Sequence, residues 1–372
     1  MKIRAPGIML CTVSNAAETL SPPRKAAIAG LVAKHFGPMP QGIRRLGRGL
    51  INQTFLLEFD AGERRVLQAV NPLFPAGVNE DIDAATRFLD SKGLRTPRLI
   101  RTRSGSASVT QDGEVWRLLS WVPGLSLDML GGTGQAREAG ALLGRFHSAL
   151  VGFKHRFRQP RLGVHDTQAH LNNLRQATQL SQAHRHMRKI RPLAEEILDL
   201  AATLPALPET PDRVVHGDPK INNILFDDNG IKALCLVDLD TLGLMPLPLE
   251  MGDAMRSWCN AAGEDSTDAR FSADLFEAAI IAYASETGDW ITEPEWQTIV
   301  LATRTILIEL ATRFCADAVQ ESYFGWDPQV YASRSEHNQV RARGQLSAFH
   351  ACSAQHKRLE EIVRHAFQGG KA

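Results

Sequence analysis

The sequence predicts an α+β fold of two unequal lobes, a small antiparallel-sheet lobe followed by a larger, mainly helical one, with a cleft between them. Strand-like runs dominate before Pro123-Gly124, and helical periodicity dominates after it. The chain has 372 residues, more than one hydrophobic core usually serves. At 44% hydrophobic and 22% charged, it can build a sizeable core without disulfide or metal staples. We therefore divide it into an N-lobe, residues 1–122, and a C-lobe, residues 123–372.

Residues 1–21 are small and polar and read as a loose arm. Ser21–Phe36 reads as a helix, with Ser21 as cap, Pro22 at the tolerated first position, and Ile28, Leu31 and Val32 on one face. Phe55–Phe59 and Arg65–Val70 flank Asp60-Ala61-Gly62-Glu63, a hairpin pattern. Asn79–Lys92 returns to helical spacing and stops at Gly93. Val109 and Val115–Val122 around Asp112-Gly113 form a further hairpin. Downstream, Ala136–Leu150, Thr167–Leu180, Ile190–Leu204, Phe271–Ala284, Glu293–Ala316 and Val340–Phe367 read as helices, and Pro246-Leu247-Pro248 as a rigid loop. In this half the clear strands are Asn223–Phe226 and Ala233–Val237.

Net charge is +1, so no strong basic field draws nucleic acid or an anionic membrane, and neither is expected as a partner. Five scattered cysteines form no Cys-x-x-Cys pair and no zinc spacing, which fits free thiols in a reducing compartment. Gly7–Val13 is too weak an apolar run for a signal peptide, and no stretch approaches the ~20 apolar residues of a membrane helix. A cytoplasmic protein is expected.

The chemistry concentrates in Val214–Asp240. Two β-branched residues lead into His216-Gly217-Asp218, and Asn223 follows five residues after Asp218. A short strand, the turn Asp227-Asp228-Asn229-Gly230 and a second strand then deliver Asp238. A tight hairpin is antiparallel, so its outer ends return to one side. Asn223 and Asp238 should meet beside the loop holding Asp218. Phosphoryl transfer needs that set: oxygen ligands for Mg²⁺, and a separate carboxylate to orient the attacking hydroxyl and take its proton. Asp238 and Asn223 suit the metal, Asp240 could extend the metal site, and Asp218 suits the base. His216 is expected to brace the loop by hydrogen bonding. A lone His-Gly-Asp is usually only a turn, but the ordered set is far more specific.

His216-Gly217-Asp218…Asn223 followed by Val237-Asp238 resembles the catalytic and metal motifs of the aminoglycoside phosphotransferase and choline kinase superfamily, whose fold is protein-kinase-like. The resemblance implies an ATP-dependent small-molecule kinase with Asp218 as base and Asn223 and Asp238 on Mg²⁺. Gly47–Phe55, Val66–Asn71, Val237–Thr241, Gly252–Arg256 and His337–Leu346 are similar to N-acetylhexosamine 1-kinases. That branch implies transfer to the anomeric hydroxyl of an N-acetylhexosamine. Other acceptors, such as an aminoglycoside, a choline-like alcohol or homoserine, stay open, as does a non-catalytic nucleotide-binding protein.

On the nucleotide side, Gly47 and Gly49 would let backbone amides approach phosphates, although the pair is equally an ordinary hairpin turn. Kinases usually carry a phosphate-pairing lysine on the next strand. Here that place holds Gln68, so the neutralising cation is unassigned. Arg48, Arg64 and Arg65 are candidates that read as surface charges, and Glu80, Asp81 and Asp83 read as structural. Ser120–Gly124 resembles the interlobe linker, with Ser120 and Val122 at the adenine. On the acceptor side, Asp253 either binds a sugar hydroxyl or pairs with Arg256. Arg256 and Arg341, with His337, Asn338 and Arg343, are candidate substrate groups on faces that are usually solvated. Leu143–His147 reads as packing, and Trp121, Trp258 and Trp326 as sugar stackers or core.

Overall fold

The computed structural model describes residues 20–47, 52–158 and 164–369. Most of the expected arm, together with Arg48 and Gly49, lies outside these residues. Helix α1 (Pro22–His35) opens the described chain with proline in its first turn, where no backbone donor is needed. Ser21 precedes it but makes no side-chain cap bond.

The N-lobe sheet is antiparallel. It comprises β1 (Gly42–Arg45), β2 (Gln53–Glu58), β3 (Arg64–Val70), β4 (Leu99–Ile100), β5 (Val109–Gln111) and β6 (Glu114–Ser120). Their order is β1-β2-β3-β6-β4, with β5 also on β6. Strand alternation divides the side chains between two faces. Phe55, Leu57, Leu67, Trp116 and Leu118 pack with Ile28, Leu31 and Val32 of α1 in one cluster. Each such fully buried side chain contributes about 1.5–3 kcal/mol. The opposite face carries Thr54, Gln68 and Arg117 side by side, since Thr54 pairs with Gln68 and Gln68 with Arg117.

Helix α2 (Val78–Ser91) repeats Val78, Ile82, Ala85 and Leu89 at helical spacing, and this stripe joins the larger cluster rather than the sheet's own. Its carboxylates are held structurally: Arg101 pairs with Glu80 and Asp83, and His155 with Asp81. The chain then crosses through residues 121–124 to β7 (Leu125–Ser126), which pairs with a C-lobe strand.

The C-lobe holds α3 (Thr133–Leu150), α4 (Thr167–Leu180), α5 (Met187–Thr203), β8 (Asp212–Val215), β9 (Ile224–Phe226), β10 (Ala233–Leu236), β11 (Gly243–Pro246), α6 (Leu247–Trp258), α7 (Ala273–Thr287), α8 (Glu293–Gln297), α9 (Ile299–Gln320), α10 (Arg334–Ala354) and α11 (His356–Gln368). Helix α9 is apolar nearly all round and is buried at the centre. Its buried Thr303, Thr305 and Thr312 hydroxyls donate back to carbonyls one turn earlier, which removes the cost of burying them.

The mixed helix-and-sheet architecture is the one expected, with several corrections inside it. Pro246-Leu247-Pro248 is not a loop. Pro246 ends β11 on a two-stranded ribbon with β8, and Leu247 starts α6 with Pro248 in its first turn. Both are places where proline's missing N–H costs nothing. The short strands β7, β8 and β11 were not expected. Glu293–Ala316 divides at Thr298, and Val340–Phe367 divides at Gln355, whose amide donates to the Phe271 carbonyl. Helix α10 starts earlier than expected, at Arg334, where Ser333 accepts from the Glu336 amide. The Ser-x-x-Glu spacing there was a readable start signal.

Candidate active site

The loop after β8 is fixed from below by α6. Glu250, fully buried, accepts the His216 amide on Oε1 and the Gly217 amide on Oε2, both at 2.9 Å. Trp258 Nε1 donates to the Pro219 carbonyl at 2.8 Å, and the Ile221 amide donates to Ser257 Oγ at 3.0 Å. Gly217 has φ +82°, and a Cβ there would stand 2.3 Å from the Thr241 carbonyl oxygen. Only glycine fits that place.

His216 joins this loop to the second strand of the hairpin. Its Nε2 donates to the Val237 carbonyl at 2.8 Å, and its Nδ1 accepts the Asp218 amide at 3.3 Å. One tautomer, with hydrogen on Nε2, serves both. Asn223 completes the junction: Nδ2 donates to the Asp218 carbonyl at 2.8 Å and to Asp218 Oδ2 at 3.1 Å. The Asn223 carbonyl accepts the Val237 amide at 2.9 Å. Hence Asp218, Asn223 and the residue preceding Asp238 are locked together at one end of the hairpin.

Asp238 adopts φ 64°, ψ 56°, a left-handed conformation uncommon for a residue with a Cβ. Such conformations persist where the surroundings impose them. Burial pushes its carboxyl up to about 7, with the neighbouring Asp240 charge adding to the effect. For Asp218, burial also acts upward. The Lys220 ammonium, whose Nζ donates to Oδ2 at 2.6 Å, acts downward together with Arg256 and His216, and the net effect holds the carboxyl below its ordinary value. Two neighbouring carboxylates are thus pushed in opposite directions, Asp218 toward its ionised form and Asp238 toward its protonated one.

Magnesium prefers oxygen ligands and usually keeps only one or two from protein. The Asp238 carboxylate, buried among like charges, and the Asn223 amide fit that donor set. Asp240, read as an extension of that set, is engaged by other groups. Its carboxylate reaches across to the N-lobe, where Arg117 binds it through both terminal nitrogens, Nη2 at 2.8 Å from Oδ2, and Asn52 Nδ2 donates at 2.5 Å. Both partners are almost fully buried, with side-chain exposures of 2% and 1%. Arg117 Nε donates to Gln68 Oε1 at 2.8 Å, and Gln68 Nε2 donates to Thr54 Oγ1 at 3.1 Å.

The remaining candidates sit as follows. Gly47 has φ +65° and an exposed position, while Gly49 lies outside the described residues. Ser120 ends β6, accepts the Arg98 amide on Oγ, and leads into buried Val122. Arg64 and Arg65 pair with Glu58 and Glu63 on the sheet's first hairpin and stay away from the network around Arg117. Asp253 accepts from Arg256 Nε at 2.8 Å, the pairing alternative of its two readings, and Arg256 also holds Glu264 at 2.9 Å. Arg341 Nε and His337 Nε2 both bind Asp265 Oδ1, at 2.7 and 2.8 Å. Trp258 is core. Sequence reasoning missed Arg117, Asn52 and Glu250. The signal for Arg117 was a charge inside the apolar strand Val115–Leu119, and the signal for Glu250 was a lone acid between Leu249 and Met251.

Comparison with known proteins identifies the family. A profile of the Phosphotransferase enzyme family (APH) matches residues 42–287, well over half the chain. The chain belongs to that family. It is a small-molecule kinase, an enzyme that transfers a phosphoryl group to an alcohol. Among solved structures, it is similar to a microcompartment-associated aminopropanol kinase (14% identity, 90% of this chain and 98% of that one, TM-score 0.61). It is also similar to the amicoumacin kinase hAmiN solved with AMP-PNP, Ca²⁺ and Ami (12%, 90% and 93%, 0.58). A third is an aminoglycoside phosphotransferase from Alicyclobacillus acidocaldarius subsp. acidocaldarius DSM 446 (17%, 94% and 99%, 0.56). At these identities the likeness concerns the fold. No helix among the described residues is long and apolar enough to cross a membrane. The four described cysteines are free and buried.

Proposed function

We propose that the chain transfers the γ-phosphoryl group of ATP, as its Mg²⁺ complex, to a hydroxyl of a small neutral sugar, most specifically the anomeric hydroxyl of an N-acetylhexosamine. The observation that carries the phosphotransfer reading is the locked junction of Asp218, Asn223 and Val237, which places Asp238 next to it in the chain. Asp218, kept ionised by Lys220, is the group that orients the acceptor hydroxyl and receives its proton. Asp238 and Asn223 are the groups that would hold magnesium, whose charge offsets that of the transferring phosphoryl group. Asn223 also donates to Asp218, so the same amide fixes the base relative to the metal side. Gly47 and Gly49 on the phosphates, and Ser120 and Val122 on the adenine, complete the nucleotide assignment.

The charge balance on the acceptor side supports a neutral acceptor. Asp253 and Glu264 share Arg256, Asp265 is held by Arg341 and His337, and Asp218 by Lys220. A cationic acceptor needs carboxylates free of a basic partner, and each of these is bonded to one, Asp253 and Glu264 to the same arginine. In this reading Asp253, Arg256 and Arg341 shape the pocket as a fixed polar network. The second reading, a cationic amino alcohol or aminoglycoside, is favoured by the names of the structural neighbours.

Incubating the protein with Mg-ATP and a panel of N-acetylhexosamines, neutral hexoses, aminoglycosides and amino alcohols, while following ADP release, separates the two. Turnover with N-acetylhexosamines is expected. Turnover confined to cationic acceptors would sink the sugar reading and leave the kinase assignment intact.

A further inference from the structure

Gln68 occupies the strand position where a phosphate-pairing lysine would stand, yet it is not idle. Its carbonyl oxygen accepts from Arg117 Nε at 2.8 Å, and its amide is anchored to Thr54. Gln68 and Arg117 are direct cross-strand partners on β3 and β6. A lysine at position 68 would offer Arg117 a like charge in place of an acceptor. A glutamine there suits an arginine next door.

The arginine is held on every side. Four of its five N–H groups have partners: Nε with Gln68, Nη1 with Asp240 Oδ1 and with Asn79 Oδ1 at 3.3 Å, and Nη2 with Asp240 Oδ2. One Nη2 hydrogen has no partner among the described residues. The side chain is 2% exposed, so water cannot screen its charge. Its Asp240 partner stands two residues from the proposed metal ligand Asp238.

We propose that Arg117, presented from β6, is the fixed positive charge of this protein's triphosphate site, with Asp240 and Gln68 as the residues that position it. The inference rests on the kinase reading above. The usual arrangement is thereby transposed: the cation moves one strand over, and its orienting carboxylate comes from the metal segment of the C-lobe rather than from α2. This accounts for why the carboxylates of α2 are engaged elsewhere, with Arg101 and His155. It also ties nucleotide binding to lobe alignment, because the pair spans the two lobes.

Removing Arg117 alone would strand a buried carboxylate and threaten folding, whereas removing both charges of a buried pair is often tolerated. The informative variants are therefore Arg117→Gln with Asp240→Asn, and the swap Gln68→Lys with Arg117→Gln. Calorimetric titration of each full chain with ATP, ADP and adenosine, in the presence of Mg²⁺, reads the role. The first variant should lose about 10- to 100-fold in ATP and ADP affinity, the size of a charge-assisted hydrogen bond, and keep adenosine binding. The swap should bind ATP more tightly than the first variant does, because a lysine on β3 restores the charge. A wild-type protein that binds neither ATP nor ADP would overturn the kinase reading and this inference together. Wild-type binding with ATP and adenosine affinities falling equally in the first variant, or no recovery in the swap, would overturn this inference alone.

Discussion

The loop bearing Asp218 and the sheet corner around Arg117 both hold buried charge but are assembled differently. The loop and the hairpin end beside it come from residues 216–238, drawn together by one hairpin and clamped by α6. The corner comes from Asn52, Gln68, Arg117 and Asp240, contributed by two lobes. In the first, the essential polar groups are bonded within a short stretch of chain. In the second, the bonding partners are 123 residues apart. The difference separates what a motif specifies from what only folding brings together.

Three perturbations sharpen that contrast. Asp218→Ala should have the largest effect, a fall in kcat of about 10²–10⁴-fold, the usual contribution of a general base, with ATP affinity little changed. Steady-state kinetics beside a binding titration checks it, and near-normal turnover would break the mechanism. Glu250→Gln keeps the shape of the clamp but trades a carboxylate for a neutral amide beneath two backbone donors. It should cost about 1.5–3 kcal/mol of stability in a denaturant melt, the range for hydrogen bonds to a charged group. An unchanged melt would mean the loop is held by other contacts.

Lys220→Met should have the smallest effect at neutral pH. Burial raises the Asp218 carboxyl, and Lys220 with Arg256 and His216 lowers it, leaving the folded-state value below the unfolded one. The stabilisation from this pair is complete above the unfolded carboxylate pKa and is lost as pH falls through the folded one. Without the lysine, the acid limb of the kcat/KM profile should move to higher pH. An acid limb that stays in place would show that Lys220 does not set the ionisation of Asp218.

This contrast also explains which parts of the molecule could be read from the sequence. The first hairpin, the stripe of α2 and the loop–strand–turn–strand order around Asp218 were legible, because local periodicity and turn residues specify them. Proline misled twice at Pro246-Leu247-Pro248, where its tolerance on an edge strand and in a first helical turn outweighed its role as a breaker. The pairing of Asp240 was hidden for a different reason. Nothing local announces that its carboxylate crosses to β6, and Arg117 was one basic residue among many. Residue type at position 68 made the gap visible but not the group that fills it.

Gly217 has a consequence for sequence drift. Its backbone lies against the Thr241 carbonyl, while the Thr241 hydroxyl donates to the His216 carbonyl at 2.8 Å. Any side chain at position 217 would push the turn bearing Asp238 and Asp240 away from the loop bearing Asp218. One replacement would then displace Asp218, Asp238 and the carboxylate that holds Arg117. Three carboxylates from two separate turns therefore keep their relative places through a single residue that has no side chain.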